Sequence, residues 1–468
     1  LFLKKMINRR KVQRGFYHRT CQTYKNNLNY FVRSKFFSLS TKNVFISAAI
    51  FFSNSAFSLS LSEAVERSFE KDPEFLSEKQ SYTAAKELEV ISGAALLPNI
   101  SLQSNFTKIE NSLNVSTETQ NYGVTLNQSI YNKTLLLNDK QNKLLVDEAE
   151  FNFLKARETL IIKITSSYFD VLVAQNNLKT IRAEKKAVAE QLEFAKRNFE
   201  VGTSTITDQQ EAQARFDLIR ASEIKTENDL AITRTNLEKH LLRPLPKSLM
   251  GINSQIKLQE LKFNSPLEWM KLARKNNFNV KAARIRKKIA EVLVDKQRSS
   301  RIPTLSASIS SGHNTTDAIS NSTSESHTIS LNLTAPIYLG GSISSKTRQA
   351  IANLTRAQQL LELTLLNVDR KAGESYRSVV AGLSQVEALE AAENSSKVAL
   401  ESNKLGYEVG VRINIDVLNA QRQLFSTQRD LATARYDVLR SQFQLLESVG
   451  ELSLTEVQKI SRIISKSN

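Results

Sequence analysis

The sequence predicts an α+β membrane protein made of two tandem structural repeats, each joining a pair of two-faced strands to helices too long for a globular core. Three observations carry this. Landmarks recur in the same order at a period of about 205 to 208 residues: Leu97-Pro98-Asn99-Ile100-Ser101 as Ile302-Pro303-Thr304-Leu305-Ser306, Gln128-Ser129-Ile130-Tyr131 as Ala335-Pro336-Ile337-Tyr338, and Phe199-Glu200-Val201-Gly202 as Tyr407-Glu408-Val409-Gly410. That period is too long for a solenoid and reads as two copies of one large unit. From Lys133 to Phe199 there is no proline or glycine, which allows a helix roughly 100 Å long. Between the helices, short stretches alternate between apolar and polar residues, the period of a strand.

The first element, residues 1–56, reads as an export signal. It holds eleven basic residues and no acidic one, followed by the apolar run Val44–Phe52 and the small residues Ser53-Asn54-Ser55-Ala56. That order matches a signal peptide, and the apolar run is too short to span a bilayer. The chain carries a net charge of +17. Removing those eleven charges leaves +6, so the basic balance belongs mainly to the N-terminus and does not argue for a nucleic-acid partner. The only cysteine, Cys21, lies in the same segment. The mature chain would therefore have no disulfide, thiolate ligand or cysteine nucleophile.

The first repeat, 57–243, reads as helix, strand pair, long helix, tight turn and returning helix. A helix from Leu61 to about Leu96 is stopped by Pro98. Ile100, Leu102 and Phe106 alternate with Ser101, Gln103, Asn105 and Thr107, and Tyr122, Val124 and Leu126 alternate with Gly123, Thr125 and Asn127. In the long helix, Ile164, Val171, Leu178, Leu192 and Phe199 share one heptad position, while Leu160, Ala174, Ile181, Val188 and Ala195 share the other. The returning helix covers 207–243. A linker, 244–265, joins the halves.

The second repeat, 266–450, has the same plan. Its helix 266–300 precedes a strand pair at about 304–335, in which Ile329, Leu331 and Leu333 alternate with Ser330 and Asn332. The last helix keeps Val417, Leu424, Leu431, Val438 and Leu445 at intervals of seven, and likewise Leu418, Phe425, Ala432, Leu439 and Leu446. Residues 451–468 read as a C-terminal tail. In each repeat the two shorter helices placed end to end match the long one. The strand pair then lies at one end and the turn at the other.

No stretch of 18 apolar residues occurs, so an exported chain of this kind enters a membrane only as a β-barrel. Four strands cannot close one. The barrel must be shared among copies related by cyclic symmetry, and three copies would give twelve strands and a lumen.

The segments Leu61-Ser62-Glu63-Ala64-Val65, Leu97-Pro98-Asn99-Ile100, Leu126–Tyr131, Arg197–Gly202 through Thr207-Asp208, Pro336–Gly341, and Gly406–Gly410 through Asp416-Val417-Leu418 resemble the TolC family of outer-membrane efflux and secretion channels. The resemblance covers essentially the whole mature chain. It implies a homotrimer with a shared twelve-stranded β-barrel in outer-membrane lipid and a helical tunnel in the periplasm. It also implies an inner-membrane pump and a periplasmic adaptor as partners, with no cofactor and no catalytic activity. It assigns Asp416 to a ring of gate carboxylates. A second family aspartate one turn later is replaced here by Asn419, leaving three carboxylates per trimer rather than six. Thr207, Asp208, Tyr407 and Arg412 match latch residues that link helices near the closed end. Val201-Gly202-Thr203 and Val409-Gly410-Val411 match the tips that meet the adaptor.

Each assignment has a plainer alternative. Asp208 and Asp416 suit the first turn of a helix, with Thr207 or Asn414 as caps. Arg412 suits a solvated surface, and the two glycines suit helix ends. His18, His240, His313 and His327 form no ligand spacing, and Gly340-Gly341 lacks the lysine of a phosphate loop. A periplasmic coiled-coil adaptor or scaffold would share the heptads but has no need of paired amphipathic strands. A diffusion porin would share the strands but not the helices.

Overall fold

The computed structural model of the chain describes residues 59–110, 116–246, 249–251, 261–317 and 322–465. The segment 1–56, read above as an export signal, lies outside them.

Helix α1, Leu61–Lys71, starts at a capping box in which the Ser60 hydroxyl accepts from the Glu63 amide and the Glu63 carboxylate accepts from the Ser60 amide. It ends at Asp72, which also opens α2, Pro73–Ala94, by accepting from the Phe75 amide. The expectation of one unbroken helix from Leu61 to Leu96 is corrected here. A proline at the first position of a new helix loses no hydrogen bond, whereas inside a continuous helix it would. The second repeat breaks at the matching place. Helix α5, Pro266–Asn276, meets α6, Phe278–Ser299, at Asn277. The Asn277 side chain accepts from the Asn279 amide and donates to the Ser448 carbonyl. In both repeats an 11-residue helix is followed by a 22-residue one.

Strands β1, Asn99–Glu110, β2, Ser116–Tyr131, β3, Thr304–Asp317, and β4, Ser322–Thr334, form one antiparallel sheet in chain order. The two repeats therefore meet edge to edge at β2 and β3. Ile100, Leu126, Ile309 and Ile329 lie in one row across the sheet. Their face carries Leu102, Phe106, Leu331 and Leu333, all more than half exposed. The opposite face carries Ser101, Thr125, Ser308 and Ser330. All four strands exceed the roughly 9–11 residues needed to cross a bilayer.

The long helices are α3, Lys133–Glu200, with 68 residues, and α7, Ser342–Glu408, with 67. Their returning partners α4, Ile206–Leu241, and α8, Asn414–Val449, have 36 each. The heptad seams are buried as read: Val417, Leu424, Leu431, Val438 and Leu445 in α8, and Leu160 to Ala195 in α3. Phe199 departs from the seam and is 41% exposed, because α3 ends one residue later and offers it no further groove.

The largest core cluster gathers α1, α3, the end of α4 and the end of α8 around Tyr168, Phe169 and Phe443. The Tyr168 hydroxyl lies 2.8 Å from the Leu59 carbonyl and 2.9 Å from that of Met250. It so fastens the start of the first repeat and part of the linker to mid-helix α3. Trp269 packs where α5 meets α7 and the end of α8. Segment 451–468, read as a tail, contains a further helix, α9, Leu454–Ser465. It buries Val457 and Ile460 against the same core, and Ser461 meets Ser62 of α1.

Candidate gate at the helical turns

Two turns close the helical hairpins at the end away from the sheet. In each, the long helix ends in the same pattern. The Val201 and Val409 amides donate four residues back, and the next residue is a glycine with positive φ, 77° at Gly202 and 79° at Gly410. Only glycine takes that conformation without strain. The turns leave Val201, Val409, Val411 and Ile413 well exposed, so each tip presents apolar side chains outward.

After the first turn, Thr205 is the N-cap of α4 and Asp208 completes a capping box. The Asp208 carboxylate accepts from the Ser204 hydroxyl at 2.8 Å and from the Thr205 hydroxyl and amide at 2.9 and 3.1 Å. Partial burial pushes its pKa up, but these three donors outweigh burial and hold it below the usual carboxylate range. The cap is thus Thr205, not Thr207, which is exposed at the second position of the helix.

After the second turn, α8 starts at Ile413 with no side-chain cap. Asn414 does something else. It is fully buried; its Oδ1 accepts from Gln191 Nε2 of α3 at 2.6 Å, and its Nδ2 donates to the Asp208 carbonyl of α4 at 3.1 Å. One amide thereby joins the start of α8 to both helices of the first hairpin. Sequence reasoning missed this role. No periodicity marks it, since at intervals of seven Asn414 leads to Gln421, Gln428, Arg435 and Gln442 and not to an apolar row.

The remaining candidate gate residues cluster at the same level. Arg412 Nη1 lies 3.7 Å from Asp416 Oδ2, with both groups partly exposed. The Arg412 stem folds back over Gly406, where a β-carbon would meet its Cγ at 2.7 Å. Tyr407 packs edge-on against Phe194 of α3 at 5.7 Å, and among the described residues its buried hydroxyl finds no hydrogen-bond partner. Asn419 is exposed one turn beyond Asp416. Within one chain the Asp208 carboxylate is engaged by its own turn and bonds to neither Tyr407 nor Arg412.

Comparison with known proteins gives the family. The profile of the family described as outer membrane efflux protein matches residues 64–241 and 269–451, one match per repeat. The chain is 32% identical over 426 residues to the outer membrane protein TolC of Vibrio cholerae, covering 89% of this chain and 97% of that one. It is 25% identical over 423 residues to the alkaline protease secretion protein AprF of Pseudomonas aeruginosa, covering 87% of both. Among solved structures, the Campylobacter jejuni CmeC outer membrane channel superposes with a TM-score of 0.74 at 16% identity, over 86% of this chain and 89% of that one. Two profile matches and near full-length similarity to a TolC make this chain a member of the outer membrane efflux protein family.

Proposed function

We propose that the chain is one third of an outer-membrane exit duct, a passive conduit with its barrel in the outer membrane and its helices in the periplasm. The observation that carries this is the open sheet of four strands at one end of helices about 100 Å long. In hydrocarbon the free backbone groups of β1 and β4 need partners, and three copies supply them in a closed ring of twelve strands. Exposed apolar residues along α4 and α7, among them Leu218, Ile224, Leu360 and Leu363, need the same neighbours. A coiled-coil scaffold has no use for such a sheet.

The tips are the gate. In the trimer Asp416 forms a ring of three carboxylates with Asn419 beside it. Thr207, Asp208, Tyr407 and Arg412 act as a latch, the unpartnered Tyr407 hydroxyl receiving its partner from a neighbouring chain. The exposed tips Val201-Gly202-Thr203 and Val409-Gly410-Val411 are the contact surface for a periplasmic adaptor, which couples the duct to an inner-membrane pump. Exposed ion pairs and hydrogen bonds of this kind are worth about 1 kcal/mol or less each, which suits a closure that a partner must undo. Cargo class follows the relatives' names in two directions, small molecules and secreted proteins. Reconstitution into a planar bilayer tests the reading. Trimers should give a small resting conductance that rises when the latch is removed. A monomeric, non-conducting protein would refute it.

A further inference from the structure

Strand pairing sorts the residues of β1–β4 onto one of two faces, save Ile130, which falls in the register shift between Ser129 and Tyr131. One face bears the apolar band of Ile100, Leu126, Ile309 and Ile329. Every charged strand residue is on that same face: Lys108, Glu110, Glu118, Asp317 and Glu325. They sit toward the strand ends farthest from the helices, where Lys108 meets Glu118 at 3.2 Å. That is the level of lipid headgroups, just beyond the band. His313 and His327 share the face.

The opposite face holds no charged or titratable side chain among the described strand residues. Apart from Ile109 near the outer end of β1, it carries hydroxyls, amides and glycine, as at Ser101, Asn105, Thr125, Ser308, Asn314 and Ser330. In a chain in which 24% of residues are charged, so complete a segregation is a property of the lining and not of the composition.

We infer that the barrel is blind to the sign of charge, so that the duct's outer part admits cationic, anionic and neutral cargo alike and any charge selection is made in the helical tunnel. The inference rests on the duct reading above. By symmetry one charged lining residue per chain would become a ring of three. A low-dielectric wall focuses the field of such a ring along the pore, and rings of this kind are how channels select by sign. Uncharged hydroxyl and amide groups both donate and accept hydrogen bonds. They can hydrate or replace water around either sign, and they hold no ion strongly enough to detain it. This lining suits passage of long or mixed-charge solutes, for which a charged ring would act as a trap at one residue and a barrier at the next.

Thiol chemistry tests it without opening the gate. The single native cysteine, Cys21, is replaced by serine, and Ser308→Cys or Leu331→Cys is introduced. Intact cells are then exposed to membrane-impermeant methanethiosulfonates bearing either a sulfonate or a trimethylammonium group, which arrive through the outer mouth. Rates are divided by those for a free thiol in solution. Ser308→Cys should react with both reagents at a corrected ratio within about twofold of unity, and adding Ser330→Asp, its cross-strand neighbour, should raise the cation preference by about tenfold. A corrected preference of about fivefold or more at Ser308→Cys alone, or no response to Ser330→Asp, would overturn the inference. If Leu331→Cys reacts while Ser308→Cys does not, the faces are inverted and the duct reading itself fails.

Discussion

In the proposed latch, Tyr407 and Arg412 make only weak contacts, an edge-on ring contact with Phe194 and a 3.7 Å approach to Asp416. The double substitution Tyr407→Phe with Arg412→Ser should therefore raise single-channel conductance more than either change alone. Asp416→Ala should leave conductance less affected but reduce cation selectivity, read as a smaller reversal potential across a salt gradient. Equal selectivity before and after would remove Asp416 from the constriction. Glu158 offers a separate test. It is almost fully buried in α3 and neither oxygen is hydrogen-bonded among the described residues. Burial first, and then the nearby Glu447 carboxylate, push its pKa up to about 8 against the pull of Lys155 and Lys371. Glu447 is itself buried, but the ammonium groups of Lys155 and Lys371 bond to it and keep it below its ordinary range. A raised folded pKa means stability that is complete below about pH 4.5 and lost as pH rises through about 8. Trimer melting temperature should fall across that window. Glu158→Gln should flatten the profile and stabilise the protein at pH 8 by on the order of a few kcal/mol.

At the scale of elements, much was legible. Heptads in α3 and α8 and the alternation in the strands follow from periodicity alone, because long seams and two-sided sheets leave no other placement for the apolar residues. The helix breaks at Asp72 and Asn277 were not read. Pro73 was visible, but a proline that begins a helix looks like one inside it until the preceding cap is considered. Helix α9 was missed because it is short and its apolar residues Val457 and Ile460 find their place only in a core assembled from distant segments, α1 among them. The candidate gate was half legible. Its turns show in Gly202 and Gly410, whereas Asn414's bonds join segments more than 200 residues apart. Replacing Asn414 by leucine should leave the Gln191 amide and Asp208 carbonyl unpaired and cost about 1–3 kcal/mol, seen as a lower melting temperature of the trimer. On the sheet, Leu331→Arg should cost about 2–4 kcal/mol if that position lies at mid-membrane, while Ser330→Arg should assemble normally. Equal assembly defects would refute the assigned faces.

For the whole molecule, the two profile matches restate the repeat that the sequence shows at Leu97 and Ile302 or Phe199 and Tyr407. The number of copies is less directly encoded. It follows from what one chain leaves unfinished, the free edges of β1 and β4 and the exposed apolar residues of α4 and α7, and no single residue states it. Crosslinking between cysteines placed on β1 and β4 should yield a closed three-chain species, and a ladder stopping at two chains would contradict the shared barrel.

The direct pairing of β2 with β3 also bears on ancestry. Because the two halves of a chain sit side by side as equivalents, a ring of six single-repeat chains could in principle close the same barrel. Duplication and fusion would then have converted a sixfold ring into a threefold one. In a sixfold ancestor every turn would be alike, and a mutation that loosened one would loosen all. Fusion freed the halves to specialise. Here the first turn locks Asp208 into its own cap, whereas the second leaves the Tyr407 hydroxyl without a partner among the described residues and Arg412 on an exposed contact with Asp416. Under the proposed gate, one half serves as the frame and the other as the shutter.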